Sequence, residues 1–248
     1  MSKSVKVLLV GLFVFMFGVI TNAKENPYYV NEHGVELDQY EYVFLQNFYF
    51  DRYPEYITQE QYDEMVKYDF FNGIVEKVTY DEPSSNDDDP NGSRSPYHNT
   101  TGKQLVIEKI CNSTCLVNLQ ATWHYVPNVK SYDDIGFYFI GTSMVSHLST
   151  VVGSSTEYQT FNNIISYGNG WGNTVKLPQT GTNYTVSTSA IMNTGGHVYG
   201  SYQHAVEDTT ISVAQNYSFS TGGYGHVFLF GNSATNVYDG MGGVDIAL

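Results

Sequence analysis

Residues 117–125, with the sequence VNLQATWHY, decide the fold prediction for this chain of 248 residues. Apolar and polar side chains alternate along the stretch, the apolar ones being Val117, Leu119, Ala121, Trp123 and Tyr125. Successive side chains of a strand point to opposite faces of a sheet, so a period of two predicts a half-buried β-strand. We expect the ring of Trp123 to belong to the core.

The same alternation recurs in later parts of the chain. Ile135, Phe137 and Phe139 continue it, residues 211–219 repeat it, and residues 227–230 are expected as a short buried strand. Glycine-containing turns separate these segments at strand-sized intervals. Residues 103–248 therefore predict an antiparallel β-sandwich, of jelly-roll or immunoglobulin-like type.

Two cysteines lie between strand-like segments of this region. If residues 112–114 form a hairpin loop, Cys111 and Cys115 face each other at the spacing that a disulfide needs. In one continuous strand the two Cα atoms would be about 13 Å apart. We predict a disulfide, since no His or further Cys clusters with the pair to hold a metal.

Residues 24–80 are acidic and rich in tyrosine, and they carry signals for helices. Asp38 is placed to cap a helix that buries Leu45. Thr58 and Gln61 match a capping box, in which each residue satisfies a free backbone N–H of the other. A small helical N-terminal region is therefore expected before the sandwich.

Residues 1–23 have the pattern of a secretory signal peptide. Lys3 and Lys6 precede an apolar run at 7–20, and small residues end the segment at Ala23. A 14-residue helix rises about 21 Å, less than the roughly 30 Å of a bilayer core. We predict cleavage after Ala23 and a secreted, extracellular protein with no stable membrane anchor.

Composition and charge exclude several classes of protein. Aromatic residues make up 15% of the chain, which is untypical of an acidic disordered polymer. Without the signal peptide, the chain has 9 basic and 25 acidic residues and thus a net charge of −16, which disfavours binding to nucleic acid. The acidic excess is concentrated in residues 24–102, so we expect this part to behave differently from the sandwich.

Residues 81–102 predict a flexible linker, because they hold three prolines and no aliphatic core residue. Asp87, Asp89 and Asn91 occupy the first, third and fifth positions of a calcium loop. Position twelve is His98 rather than the bidentate glutamate. We favour a solvated acidic linker with Ca²⁺ as the alternative, and we predict no other cofactor.

Residues 177–181, LPQTG, are similar to the sorting signal that sortases read in Gram-positive bacteria. That signal is followed by an apolar span and a basic tail, whereas 67 residues follow Gly181 here without a membrane-length apolar run. A turn between two strands is therefore the preferred interpretation.

Residues that carry hydrolytic chemistry are not grouped in the sequence. There is no GxSxG motif, and no two of the seven histidines have HExxH spacing. Paired carboxylates could hydrolyse glycosides, but Asp133-Asp134 and Glu207-Asp208 are expected in turns. We therefore expect a protein that is not an enzyme, so no catalytic residue is assigned.

Aromatic side chains carry the functional hypothesis. Residues 167–173 read YGNGWGN, and in a loop the rings of Tyr167 and Trp171 beside the amides of Asn169 and Asn173 would suit a glycan. For Trp171 the alternative is a ring folded back onto the sheet.

We predict a secreted binding or interaction protein that recognises cell-surface glycan or protein through these aromatic residues. Two alternatives stay open. Polar residues that alternate along 182–220, such as Ser187 and Ser189, also occur in hairpins of membrane-active pore formers. The other alternative is a carbohydrate-active hydrolase. The Asn- and Tyr-rich, Lys-poor composition is typical of a Gram-positive bacterium.

Overall fold

The computed structural model describes residues 27–81, 102–222, 226–230, 237–239 and 243–248, and all structural statements refer to these. The signal peptide with its cleavage site at Ala23 lies outside them. So does the candidate calcium loop at Asp87, Asp89 and Asn91. Both remain predictions.

Residues 27–72 form what we call the helical layer. Its elements are β1 (Tyr29–Val30), β2 (Glu36–Leu37), α1 (Gln39–Phe48), α2 (Tyr53–Tyr56), α3 (Gln59–Lys67) and a 3-10 turn (Phe70–Asn72). Both predicted helix starts are confirmed, because Asp38 caps α1 and Thr58 caps α3, each in a capping box. Among the described residues, no helix has the length and apolar character to cross a membrane.

A six-stranded antiparallel sheet follows the helical layer. Its strands, in spatial order, are β3 (Val75–Asp81), β4 (Lys103–Cys111), β5 (Thr114–Trp123), β11 (Thr185–Asn193), β7 (Met144–Gly153) and β8 (Tyr158–Thr160). The strand predicted from residues 117–125 is therefore confirmed as β5, although it ends at Trp123. Residues 75–80, which we assigned to the helical region, and Asp81, which we assigned to the linker, instead belong to this sheet.

A five-stranded antiparallel sheet packs against the first. In spatial order it contains β15 (Val244–Ala247), β12 (His197–Gln203), β6 (Tyr132–Ile140), β10 (Gly170–Lys176) and β9 (Ile164–Tyr167). Leu119 and Val186 of one sheet share a buried cluster with Phe137 and Tyr202 of the other. The described residues are thus mainly β, and two facing antiparallel sheets fit the predicted sandwich.

The helical layer covers the outer face of the six-stranded sheet. Leu45 and Phe48 of α1 form a second buried cluster with Leu116 and Ile191 of the sheet. Both faces of the central strands β5 and β11 are therefore largely buried, which explains why the polar side chain of Asn118 is only 1% exposed although it points away from the sandwich core.

Hydrogen bonds fasten the layer to the sheet. The Asn118 amide donates to the carbonyl of Phe48 at 2.8 Å and accepts from the Ser187 hydroxyl at 2.7 Å. The hydroxyls of Tyr53 and Ser149 lie 3.3 Å apart, and Ser149 in turn lies 3.2 Å from Ser189. The alternating serines that suggested a pore lumen thus have partners between the sheet and the layer.

The two cysteines occupy the hairpin between β4 and β5. Cys111 and Cys115 are paired across the hairpin, with Cα atoms 4.0 Å apart, and form a disulfide. The backbone N–H of Asn112 donates to the carbonyl of Thr114 and closes the turn. The disulfide predicted for two cysteines four residues apart in sequence is therefore present.

Two other local expectations can be compared with the structure. Residues 177–184 connect β10 to β11, as expected for the LPQTG segment. Residues 211–219 were expected as one strand, but they contain a helical turn, α4 (Ile211–Ala214), before β13 (Tyr217–Gly222), which pairs with β14 (His226–Phe230). Only Ala214 of α4 is buried, and the burial of one side chain requires no more than a single helical turn.

Candidate functional site

The structure separates the four residues that we predicted to bind a ligand. Tyr167 is 78% exposed and Asn169 is also exposed, whereas Trp171 is 1% exposed and Asn173 is fully buried. Trp171 is the second residue of β10, and alternate strand residues share a face, so it points inward with Asn173. Its ring packs against that of Phe137, with centroids 5.7 Å apart. The expectation that Trp171 presents its ring to a ligand is therefore wrong.

A groove opens where the helical layer meets the end of the six-stranded sheet. It encloses about 280 Å³ and joins three segments that are distant in the sequence. We call it the tyrosine groove, and it is lined by Phe50, Asp51, Arg52, Tyr56, Gly153, Ser154, Ser155, Tyr158, Asn183 and Thr185. This volume is close to the lower end of small-molecule sites, roughly 300 Å³.

Two stacked tyrosines form one wall of the tyrosine groove. The rings of Tyr56 and Tyr158 are parallel to within 7°, with centroids 3.6 Å apart. Burial raises the pKa of both hydroxyls, so they stay protonated at neutral pH and are able to donate hydrogen bonds. The wall therefore offers apolar ring surface together with two neutral hydroxyl groups.

The positive charge of Arg52 is balanced beside this wall. The Arg52 guanidinium lies 5.1 Å from the centre of the Tyr56 ring and 2.7 Å from a carboxylate oxygen of Glu55. The hydrogen bonds with Glu55 raise the pKa of Arg52. Because the cation is already paired, the groove has no uncompensated charge from Arg52 to attract an anion.

Another part of the lining is polar and is held in place by hydrogen bonds. The backbone N–H of Ser155 donates to the carbonyl of Thr182 at 2.8 Å, and the N–H of Thr182 donates to the Ser155 hydroxyl at 2.9 Å. Asn183 follows with a φ of 53°, in the left-handed region that Asn adopts more readily than most residues. Its exposed amide is thereby held at the rim of the groove.

A second groove lies between α1 and the strands β3 and β4. It encloses about 440 Å³, and its lining includes Tyr40, Val43, Phe44 and Val75. Glu108 is its acidic side chain, and burial raises the pKa of that carboxyl to about 7, with Lys77 opposing the shift. We call this the apolar groove. Its lining favours an apolar occupant but does not identify a particular ligand.

A buried charged cluster lies at one end of the sandwich. We use that name for Lys103 of β4, Asp133 of β6, His204 after β12, and Asp239, all of which are buried. The Lys103 Nζ contacts Oδ2 of Asp239. The other oxygen of Asp239, Oδ1, accepts a hydrogen bond from the backbone N–H of His204 at 3.1 Å.

Asp133 organises the other half of this cluster. Both of its oxygens lie 3.0 Å from Nδ1 of His204, and Oδ1 also accepts from the backbone N–H of Ala205 at 3.0 Å. The Tyr202 hydroxyl donates to Oδ2 of Asp133, and burial together with this carboxylate raises the pKa of Tyr202. The expectation that Asp133 and Asp134 lie in a turn is wrong, because both are buried within β6.

Sequence reasoning missed this cluster, although a signal for it was present. Lys103 is in phase with Leu105 and Ile107, and Asp133 is in phase with Ile135 and Phe137. A charged residue in phase with the apolar face of a strand predicts a buried charge that needs a partner. Among the residues that the structure describes, no three His, Cys, Asp or Glu side chains are arranged to hold a metal ion.

A scan against protein-family models and a search of curated proteins both gave no match. Among solved structures, the chain is similar to the collagen-binding domain of Erysipelothrix rhusiopathiae surface protein RspB, with 9% sequence identity and a TM-score of 0.23. The alignment covers 43% of this chain and 56% of that domain. A similarity this low supports no inference about the function of this chain.

Proposed function

We propose that the protein is a secreted, non-enzymatic binding module that takes a neutral cell-surface glycan in the tyrosine groove. The observation that supports the proposal is the stacked pair Tyr56 and Tyr158 beside the amide of Asn183 and the hydroxyl of Ser155. In this proposal Tyr56 and Tyr158, rather than Trp171, provide the aromatic surface that contacts the ligand.

The chemistry of a sugar matches this lining. A pyranose has apolar C–H faces that pack on aromatic carbon and hydroxyls that exchange hydrogen bonds with amides and other hydroxyls. The paired state of Arg52 favours an uncharged ligand over an anionic one. The small volume accommodates one sugar ring, so the affinity for a single unit is expected to be modest.

The two alternative functions have less support. A glycoside hydrolase needs two carboxyl groups that flank an open cleft, roughly 5–10 Å apart. Asp133 and Asp239 are instead buried, and both are engaged with His204. For a pore former, Ser187 and Ser189 would have to leave their present hydrogen bonds.

The proposal is tested by a glycan array probed with the purified chain, followed by calorimetric titration with the best neutral glycan. Tyr56→Ala removes one ring of the wall and should weaken binding by at least about fivefold, since the truncation of an aromatic anchor is expected to cost more than about 1 kcal/mol. Tyr167→Ala, which removes an exposed ring that does not line the groove, is the matched control and should bind like the original protein.

Two results would contradict the proposal. One is an array on which no neutral glycan binds. The other is a glycan whose affinity falls with Tyr167→Ala and is unchanged in Tyr56→Ala, because binding would then occur on the β9–β10 hairpin.

A further inference from the structure

The contact between Lys103 and Asp239 joins two distant parts of the chain. Lys103 is the first residue of β4, and Asp239 precedes β15, the last strand of the five-stranded sheet. They are 136 residues apart in sequence, and their side chains are 0% and 2% exposed. An amine and a carboxyl group are thus enclosed together, away from solvent.

Aromatic rings surround the amine. The Nζ atom of Lys103 lies 5.0 Å from the ring of Trp123 and 5.9 Å from that of Tyr202. In such a setting a separated ammonium and carboxylate are costly, because neither is hydrated by bulk water. Transfer of one proton from Nζ to the carboxylate removes both charges and leaves a nucleophilic amine beside a carboxylic acid.

The carboxyl group of Asp239 is held in one orientation. His204 and Asp239 exchange hydrogen bonds, since the N–H of Asp239 donates to the carbonyl of His204 at 2.9 Å and the N–H of His204 donates to Oδ1. Ala205 and Tyr238 form a β-bridge next to them. Oδ1 is therefore fixed on a backbone donor while Oδ2 faces the amine.

From this geometry we propose that Lys103 and Asp239 condense into a side-chain amide, an isopeptide bond. The Nζ lone pair attacks Cγ of the protonated Asp239 carboxyl, and the negative charge that develops on Oδ1 is stabilised by the N–H of His204. Nζ loses its second proton to Oδ2, the Cγ–Oδ2 bond breaks, and Oδ2 leaves as water. An ammonium and a carboxylate thus give one amide and one water, with no oxidant or other reactant.

The bond would convert a buried pair into a neutral amide and close a covalent ring between β4 and the segment before β15. Burial also protects the product, because hydrolysis would require water to return to Cγ. The modification lies far in sequence from the tyrosine groove and is independent of the glycan proposal.

Mass spectrometry of the purified full chain, reduced and denatured, tests the proposal directly. We expect a mass about 18 Da below the mass calculated for the sequence that begins at the observed N-terminus, because one water is lost. A protease digest should contain a branched peptide that joins Lys103 to Asp239. Lys103→Arg keeps a cation beside Asp239 but forms no amide, so it should have the calculated mass and migrate differently in a denaturing gel.

Lys109→Arg is the control, since Lys109 lies on the same strand and its Nζ donates to the carbonyl of Ala247. It should keep the lower mass. A full calculated mass for the original chain would mean that Lys103 and Asp239 form only a buried ion pair, and it would overturn the proposal whether or not any variant folds. A lower mass that persists in Lys103→Arg would overturn it as well.

Discussion

Asn118→Ala tests whether the helical layer and the six-stranded sheet form one cooperative unit. The side chain is 1% exposed and makes two hydrogen bonds, one to the carbonyl of Phe48 in α1 and one from Ser187 in β11. Alanine removes both bonds and leaves the carbonyl and the hydroxyl without these partners in a dry interface.

The expected cost follows from these two bonds. Each contributes about 1 kcal/mol net, and a buried polar group that loses its partner adds about 1–3 kcal/mol. Partial relaxation of the Ser187 hydroxyl reduces the sum. We therefore expect Asn118→Ala to lower the free energy of unfolding by about 2–4 kcal/mol.

Urea denaturation followed by circular dichroism measures this loss, and limited proteolysis shows whether residues 27–72 are released first. Gln120→Ala is the matched control, because Gln120 lies two residues on, on the same face of β5, and its side-chain amide donates a single 3.3 Å hydrogen bond, to Thr122 of the same strand, among the described residues. The control should change stability by less than about 0.5 kcal/mol. If Asn118→Ala lowers the free energy of unfolding no more than Gln120→Ala does, the hydrogen bonds of Asn118 do not fasten the layer to the sheet.

Three further predictions concern stability. Replacing Cys111 and Cys115 together by serine should cost about 2 kcal/mol in urea denaturation, the amount expected for so small a ring, and an unchanged midpoint would contradict this. The pKa of Glu108 is raised from 4.5 to about 7, so its deprotonation weakens the folded state as pH rises through that interval. Glu108→Gln should therefore stabilise the protein at pH 8, by about 1 kcal/mol after solvent screening, and match the original chain at pH 4; the opposite pH dependence would refute the assignment. Gly136→Ala should destabilise by about 3 kcal/mol, because its Cβ would clash with the carbonyl oxygen of Trp171 on the neighbouring strand, and thermal unfolding within 1–2 °C of the original would show that the sheet yields.

Patterns with a short range were predictable from the sequence. The alternation in β5 and the caps at Asp38 and Thr58 each depend on a few neighbouring residues, so they identified their elements. The disulfide was predictable because one hairpin brings its two cysteines together. For residues 211–214 the spacing of apolar residues fits a helical turn and a strand equally well, and local pattern alone could not decide.

The candidate site depends on contacts that local patterns do not contain. The tyrosine groove needs Tyr56 of the helical layer to reach Tyr158 of β8, and no spacing rule connects them. The prediction for Trp171 was wrong because the glycines around it suggested a loop. In the structure these glycines instead permit close packing against β10, since a Cβ at Gly172 would lie 2.9 Å from the Phe228 ring. The burial of Asn118 likewise follows from a layer that no strand pattern reveals.

The helical layer precedes the strands that bury it in the chain, and this order has a consequence for biosynthesis. Leu45 is made 146 residues before Ile191, one of the residues that buries it. At roughly 5–20 residues per second, the apolar side of α1 waits on the order of ten seconds for its partner strand. During that interval the nascent chain exposes an apolar surface that a chaperone would have to shield.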